Sequence, residues 1–174
     1  MQSYSRAQKF LHWTLFLIVL LMYALTFNED IFARGDPRVD MIWRIHISVG
    51  LVMAVLVLWR VALRLGEGAP PEPADIGWVE RMAAQASHLL LYALLIAIPA
   101  LGILLTWYRG NELSFFGLFT IPAPFPPDRE TARTLRELHS LCANAILVVA
   151  GLHGLAALWH HFVRRDDVLK RMLP

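Results

Sequence analysis

The chain has one cysteine in 174 residues, Cys142, which excludes an intramolecular disulfide and any multi-cysteine metal site. Charge is also scarce. Asp, Glu, Lys and Arg make up 17% of the chain and leave a formal net charge of +2, too little and too scattered for a nucleic-acid surface. There is no low-complexity tract and no strong internal repeat. The apolar run after Arg6 and Lys9 resembles a secretory signal, but it is long, His12 interrupts its start, and no clear A-x-A site closes it. We read it as a retained helix.

What is present is hydrocarbon. Apolar residues reach 57% and the mean hydropathy is +0.50, which places the chain among membrane proteins rather than soluble ones. Four stretches approach or exceed the roughly 20 residues that a bilayer-spanning helix needs: residues 10–27, 42–63, 83–107 and 138–163. The expected fold is all-α, a single domain (residues 1–174) forming an up-down bundle of four transmembrane helices. Four spans put both termini on one side with Arg6, Lys9, Arg60, Arg64, Arg81, Arg164, Arg165, Lys170 and Arg171. The other seven basic residues, Arg34, Arg38, Arg44, Arg109, Arg129, Arg133 and Arg136, fall opposite. This bias predicts cytoplasmic termini.

Asn28 to Asp40, with its Gly-Asp-Pro turn, reads as a short outer loop. Gly66 to Gly77 (GEGAPPEPADIG) reads as an irregular inner linker. Tyr108 to Arg133, rich in aromatics and prolines, is expected to lie on the outer surface, and HHFVRRDDVLKRMLP as an interfacial tail at the inner headgroups. Pro99 predicts a kink in the third span.

Every span holds a histidine, and ionisable groups in lipid need a reason. A lone histidine near a helix end is as often an interfacial hydrogen-bonding residue as a ligand, but topology assigns these depths. His12 and His153 fall toward the terminal side, His46 and His139 toward the other. His139 and His153, in HSLCANAILVVAGLH, are fourteen residues apart, which spans roughly 21 Å and returns to within about 40° of one helix face. Facing histidines from different helices, with no carboxylate or thiolate nearby, suit an octahedral iron whose other ligands come from a porphyrin. The pairs predicted are His46 with His139 and His12 with His153. Zinc takes three or four protein ligands close together, which two separated pairs do not offer. No C-x-x-C-H motif is present, so the haems are expected to be noncovalent, b-type. Gly50 and Ala143, one turn from His46 and His139, are expected to leave room for a porphyrin; Gly102 and Gly154 are assigned to helix packing.

These residues resemble the bacterial cytochrome b561 family of four-helix dihaem membrane cytochromes. The matching pieces are YSRAQKFLHW (Tyr4–Trp13), MIWRIHISVGL (Met41–Leu51), SHLLLYALLIAIPALGILL (Ser87–Leu105) and YRGN (Tyr108–Asn111). They continue with LHSLCANAILVVAGLHGLAALWHHF and DDVLKRML, so the resemblance covers nearly the whole chain. It implies the same ligand pairs, two haem b groups, an electron path across the bacterial inner membrane, and ubiquinone as acceptor. Within the family the chain is most similar to the stand-alone superoxide oxidase branch, which implies superoxide as the electron donor at the periplasmic face.

Helped by that resemblance, His88 and His160 are expected to flank the inner haem and hydrogen-bond a quinone carbonyl, the alternative being interfacial anchoring. His161 is expected at headgroups or a propionate. Arg44, Arg136 and Arg109 are candidates for the superoxide-facing surface, since cations raise the encounter rate of a small anion. Arg44 and Arg136 also suit propionates. Two rival readings are a cytochrome b anchor relaying electrons from a partner dehydrogenase or hydrogenase, and a non-redox helical protein or metal-ion transporter.

Overall fold

A computed structural model describes residues 3–27, 31–32, 36–71 and 76–173. Four long helices dominate: α1 (Arg6–Phe27), α2 (Pro37–Glu67), α3 (Trp78–Tyr108) and α4 (Arg129–Trp159). Each contains a window long and apolar enough to cross a bilayer. Parts of two expected connections, residues 28–30, 33–35 and 72–75, lie outside the described residues, Arg34 among them.

The helix starts follow from local chemistry. The Ser5 hydroxyl accepts the Gln8 N–H at the head of α1. Asp36 caps α2 by accepting the Arg38 N–H, with Pro37 in the first helical position. Asp128 caps α4 through the Glu130 N–H. That cap moves the fourth helix's start to Arg129, nine residues before the expected span, because TARTLREL is polar yet an adequate helix former. The expected surface loop therefore ends earlier. Its centre is a hairpin of β1 (Leu113–Phe115) and β2 (Phe119–Ile121), in register Leu113 with Ile121 and Phe115 with Phe119. The turn holds Phe116 and Gly117 at φ 49° and 74°, closed by the Leu118 N–H on the Phe115 carbonyl. Two consecutive positive φ values make it the primed turn that matches strand twist.

A buried hydroxyl fastens this hairpin to the bundle. Ser48, 1% exposed, accepts the Phe116 N–H at 2.9 Å, and its oxygen lies 3.0 Å from the Ser114 carbonyl. At the opposite end the tail folds back on the N-terminus. Ser3 Oγ donates to the Arg171 carbonyl at 2.9 Å and Trp13 Nε1 to the Met172 carbonyl at 2.9 Å. The reversal follows a single π-helical turn, His160–Arg164, ended by Arg165 at φ 56°. The bundle thus has a hairpin end and a terminal end.

Backbone contact is most extensive between α3 and α4, then α1 and α2, then α2 and α3. Among the described residues α4 has no comparable approach to α1 or α2, and side chains bridge that gap. Large apolar residues on every helix point outward, including Leu17, Val55, Leu89 and Leu152, each more than 60% exposed, as expected where lipid is the solvent. Inside, Leu15, Met53 and Val57 form one cluster, and Leu94, Ile98 and Ile146 another. Pro99 is buried within α3 and leaves the Leu95 carbonyl without its usual helical donor.

Candidate functional site

Two pairs of imidazoles face each other across the gap beside α4. His46 on α2 and His139 on α4 have ring centroids 6.2 Å apart at the hairpin end. His12 on α1 and His153 on α4 are 6.4 Å apart at the terminal end. α4 presents both of its members to one interior because fourteen residues bring the helix back to nearly the same face, about 21 Å along its axis. Ile146, seven residues from each, is 4% exposed and fills the space between the levels.

The spacing can be tested against a coordinated iron. Two imidazoles that share one metal through a nitrogen each, at about 2 Å per bond, place their ring centroids roughly 6.3 Å apart. Both observed separations fit. Ring orientation adds a second criterion. His139 Nδ1 lies 3.0 Å from the Ile98 carbonyl oxygen; a carbonyl only accepts, so Nδ1 carries the proton and Nε2 keeps a free lone pair. His46 Nδ1 is buried without a hydrogen-bond partner among the described residues. Among those residues no group of three or more His, Cys, Asp or Glu side chains gathers to hold a bare metal ion.

Further side chains surround the terminal pair. His88 on α3 stands 5.3 Å from the His153 ring, centroid to centroid, so three helices contribute imidazoles at this level. Arg60 on α2 brings one guanidinium nitrogen to 3.3 Å from His12 Nδ1 and donates with the other to the Gln8 carbonyl. His160, two turns beyond His153, meets the Asp166 carboxylate through Nδ1, and both side chains are 13% exposed. Burial pushes the Asp166 carboxyl up, but the hydrogen bonds from His160 and the Val168 N–H outweigh it and leave the group below the usual carboxylate range. His161 Nδ1 is buried and lacks a hydrogen-bond partner among the described residues.

At the hairpin end the three candidate arginines are exposed. Partial burial and the charge of Arg136 hold the Arg109 guanidinium below the usual arginine range. Tyr108 and Trp107 beside it pack on Phe125, at 4.3 and 6.0 Å. Arg44 lies one turn from Ser48, its carbonyl 2.8 Å from that hydroxyl.

Gly102 and Gly154 differ from expectation. A Cβ at Gly102 would stand 3.2 Å from His139 Cε1, so this residue clears the ring of a histidine rather than a helix backbone. Gly154 has nothing within reach of a Cβ, and Gly50 has only the Met22 methyl at 3.7 Å. Arg60, the Ile98 carbonyl, Gly102, Asp166 and Ser48 escape a reading of the sequence. Asp166 alone had a signal, one of two adjacent carboxylates, six residues after His160, in a tail otherwise rich in basic residues.

Comparison with known proteins agrees with this geometry. Residues 3–174 match the family described as prokaryotic cytochrome b561. The chain is 35% identical to a probable superoxide oxidase of Yersinia pestis, over 99% of this chain and 97% of that one. It is 31% identical to cytochrome b561 homolog 1 of Escherichia coli K12, over 100% and 98%, and 35% identical to homolog 2 of the same organism, over 93% and 86%. With four apolar helices spanning the fold and this match over almost its whole length, the chain belongs to the prokaryotic cytochrome b561 family, membrane cytochromes that bind b-type haem and transfer electrons.

Proposed function

We propose that this protein is a superoxide:ubiquinone oxidoreductase of the bacterial inner membrane, with its termini in the cytoplasm and its hairpin end in the periplasm. The observation that carries the reading is the pair of imidazole levels at 6.2 and 6.4 Å. His46 with His139, and His12 with His153, would each hold one b haem. Two such groups supply one-electron redox chemistry on either side of the bilayer.

The chain's own residues do the rest. Arg109, Arg136 and Arg44 draw the superoxide anion to the hairpin end. Each superoxide loses one electron and leaves as oxygen. Two electrons and two cytoplasmic protons convert one ubiquinone to ubiquinol at the terminal end. There His88 and His160 bind the quinone carbonyls, and Asp166 orients His160 by accepting from its Nδ1. The likeness to a probable superoxide oxidase supports the choice of donor.

The test is superoxide-driven ubiquinone reduction by the purified protein in detergent or liposomes. Oxygen and ubiquinol forming in a two-to-one ratio is the expected result. A protein that carries b haem but reduces quinone only when a docked dehydrogenase or hydrogenase subunit feeds it would instead be a membrane anchor.

A further inference from the structure

The two levels differ in what faces the histidine Nδ1 atoms. At the hairpin level His139 Nδ1 gives its proton to the Ile98 carbonyl at 3.0 Å. The ring gets that close because position 102 has no side chain, since a Cβ would lie 3.2 Å from Cε1 and 3.5 Å from Nδ1. At the terminal level His12 Nδ1 meets the Arg60 guanidinium at 3.3 Å. Arg60 is half-buried, donates to the Gln8 carbonyl at 3.0 Å and lies over the Tyr92 ring at 5.7 Å. Among the described residues no carboxylate pairs with it.

These neighbours act in opposite senses on a redox centre. A carbonyl that accepts the Nδ1 proton makes the imidazole a more basic ligand, which favours the oxidised, more positive iron. With Nε2 on iron the His12 Nδ1 carries the proton, and a guanidinium has donors only, so it cannot accept that proton as the Ile98 carbonyl does at the other level. Its uncompensated charge in apolar surroundings favours the state that has gained an electron. Both influences lower the potential at the hairpin level relative to the terminal level.

We propose that Arg60 and the Ile98 carbonyl set the direction of electron movement through the bundle, hairpin end to terminal end, with Gly102 as the positioning residue that lets His139 reach Ile98. The transfer moves one electron per superoxide oxidised, and no bond is made or broken by these residues. The inference rests on the two-haem reading above.

Optical redox titration of the haem-loaded protein tests it, the couples being assigned by which haem is lost in His12→Ala and in His46→Ala. Arg60→Gln should lower the reduced-to-oxidised ratio of the terminal-level couple at least tenfold at fixed potential, about 59 mV for one electron. The hairpin-level couple should stay within threefold, and Arg60→Lys should keep both near wild type. Gly102→Ala should raise the ratio at the hairpin level and alter that haem's ferric electron-paramagnetic-resonance signal, leaving the terminal level unmoved. An unchanged terminal couple in Arg60→Gln, or equal shifts of both couples, overturns the proposal. If Arg60→Gln binds one haem only, Tyr92→Glu, which sets a carboxylate against the retained guanidinium, carries the same expectation. Loss of the terminal haem in both variants makes Arg60 an anchor and likewise overturns it. A wild-type protein without two resolvable couples fails the two-haem reading itself.

Discussion

His88 on α3 and His153 on α4 sit 5.3 Å apart, ring to ring, and His153 also faces His12 on α1. The terminal level is therefore crowded with imidazoles while the hairpin level has just two. A crowded side suits proton-coupled chemistry, a sparse one simple electron entry.

The ligand pairs predict a two-by-two pattern. His46→Ala and His139→Ala should each abolish the same haem, and His12→Ala and His153→Ala the other. Haem content by pyridine haemochrome and redox titration of the four variants checks this. Loss of one haem shared by His46 and His153 variants would break the assignment.

The hairpin-end arginines predict a charge effect on rate. Arg109→Glu and Arg136→Glu should each slow superoxide-driven haem reduction by about tenfold at low salt, with the gap from wild type narrowing as ionic strength rises. Haem content should be unaffected in Arg109→Glu. Stopped-flow absorbance with a superoxide source provides the readout.

Ser48 predicts a stability effect. Ser48→Ala removes the acceptor of the Phe116 N–H and the partner of the Ser114 carbonyl, and should cost about 1–3 kcal/mol through those groups. The loss should appear as a lower thermal midpoint and faster proteolysis at the hairpin.

Asp166 predicts a pH response. Its folded-state acidity is stronger than that of an unpaired carboxyl. It therefore contributes stability that is complete above the unfolded value, about pH 4, and is lost as pH falls through the lower folded value. Protease sensitivity of the tail should rise over that acid range in wild type. Asp166→Asn should be sensitive already at neutral pH, and should slow ubiquinol formation while leaving haem reduction by superoxide intact.

Much of the bundle was legible in the sequence because hydrocarbon runs and helix periodicity are local signals. The fourteen-residue interval of α4 fixes depth and face together, which is how His139 comes to face His46 and His153 to face His12. Contacts that depend on which helices become neighbours were not legible. Arg60 reads as one more terminal-side cation until α1 and α2 pack and bring it to His12. Gly102 reads as packing space until α4 turns His139 toward it. The hairpin was missed because its turn places Phe116, a poor residue for positive φ, in a stretch dominated by proline and aromatics.

Ile146 and the residues packed on it close the middle of the bundle with hydrocarbon. In the proposed function, an electron crossing this apolar layer moves without a proton and carries a bare negative charge from one level to the other. With the hairpin end in the periplasm, as proposed, that charge moves toward the negative side of an energised membrane. It meets an opposing work of up to about 2.3 kcal/mol per 100 mV for a full crossing, and the cell's membrane potential becomes a brake on turnover.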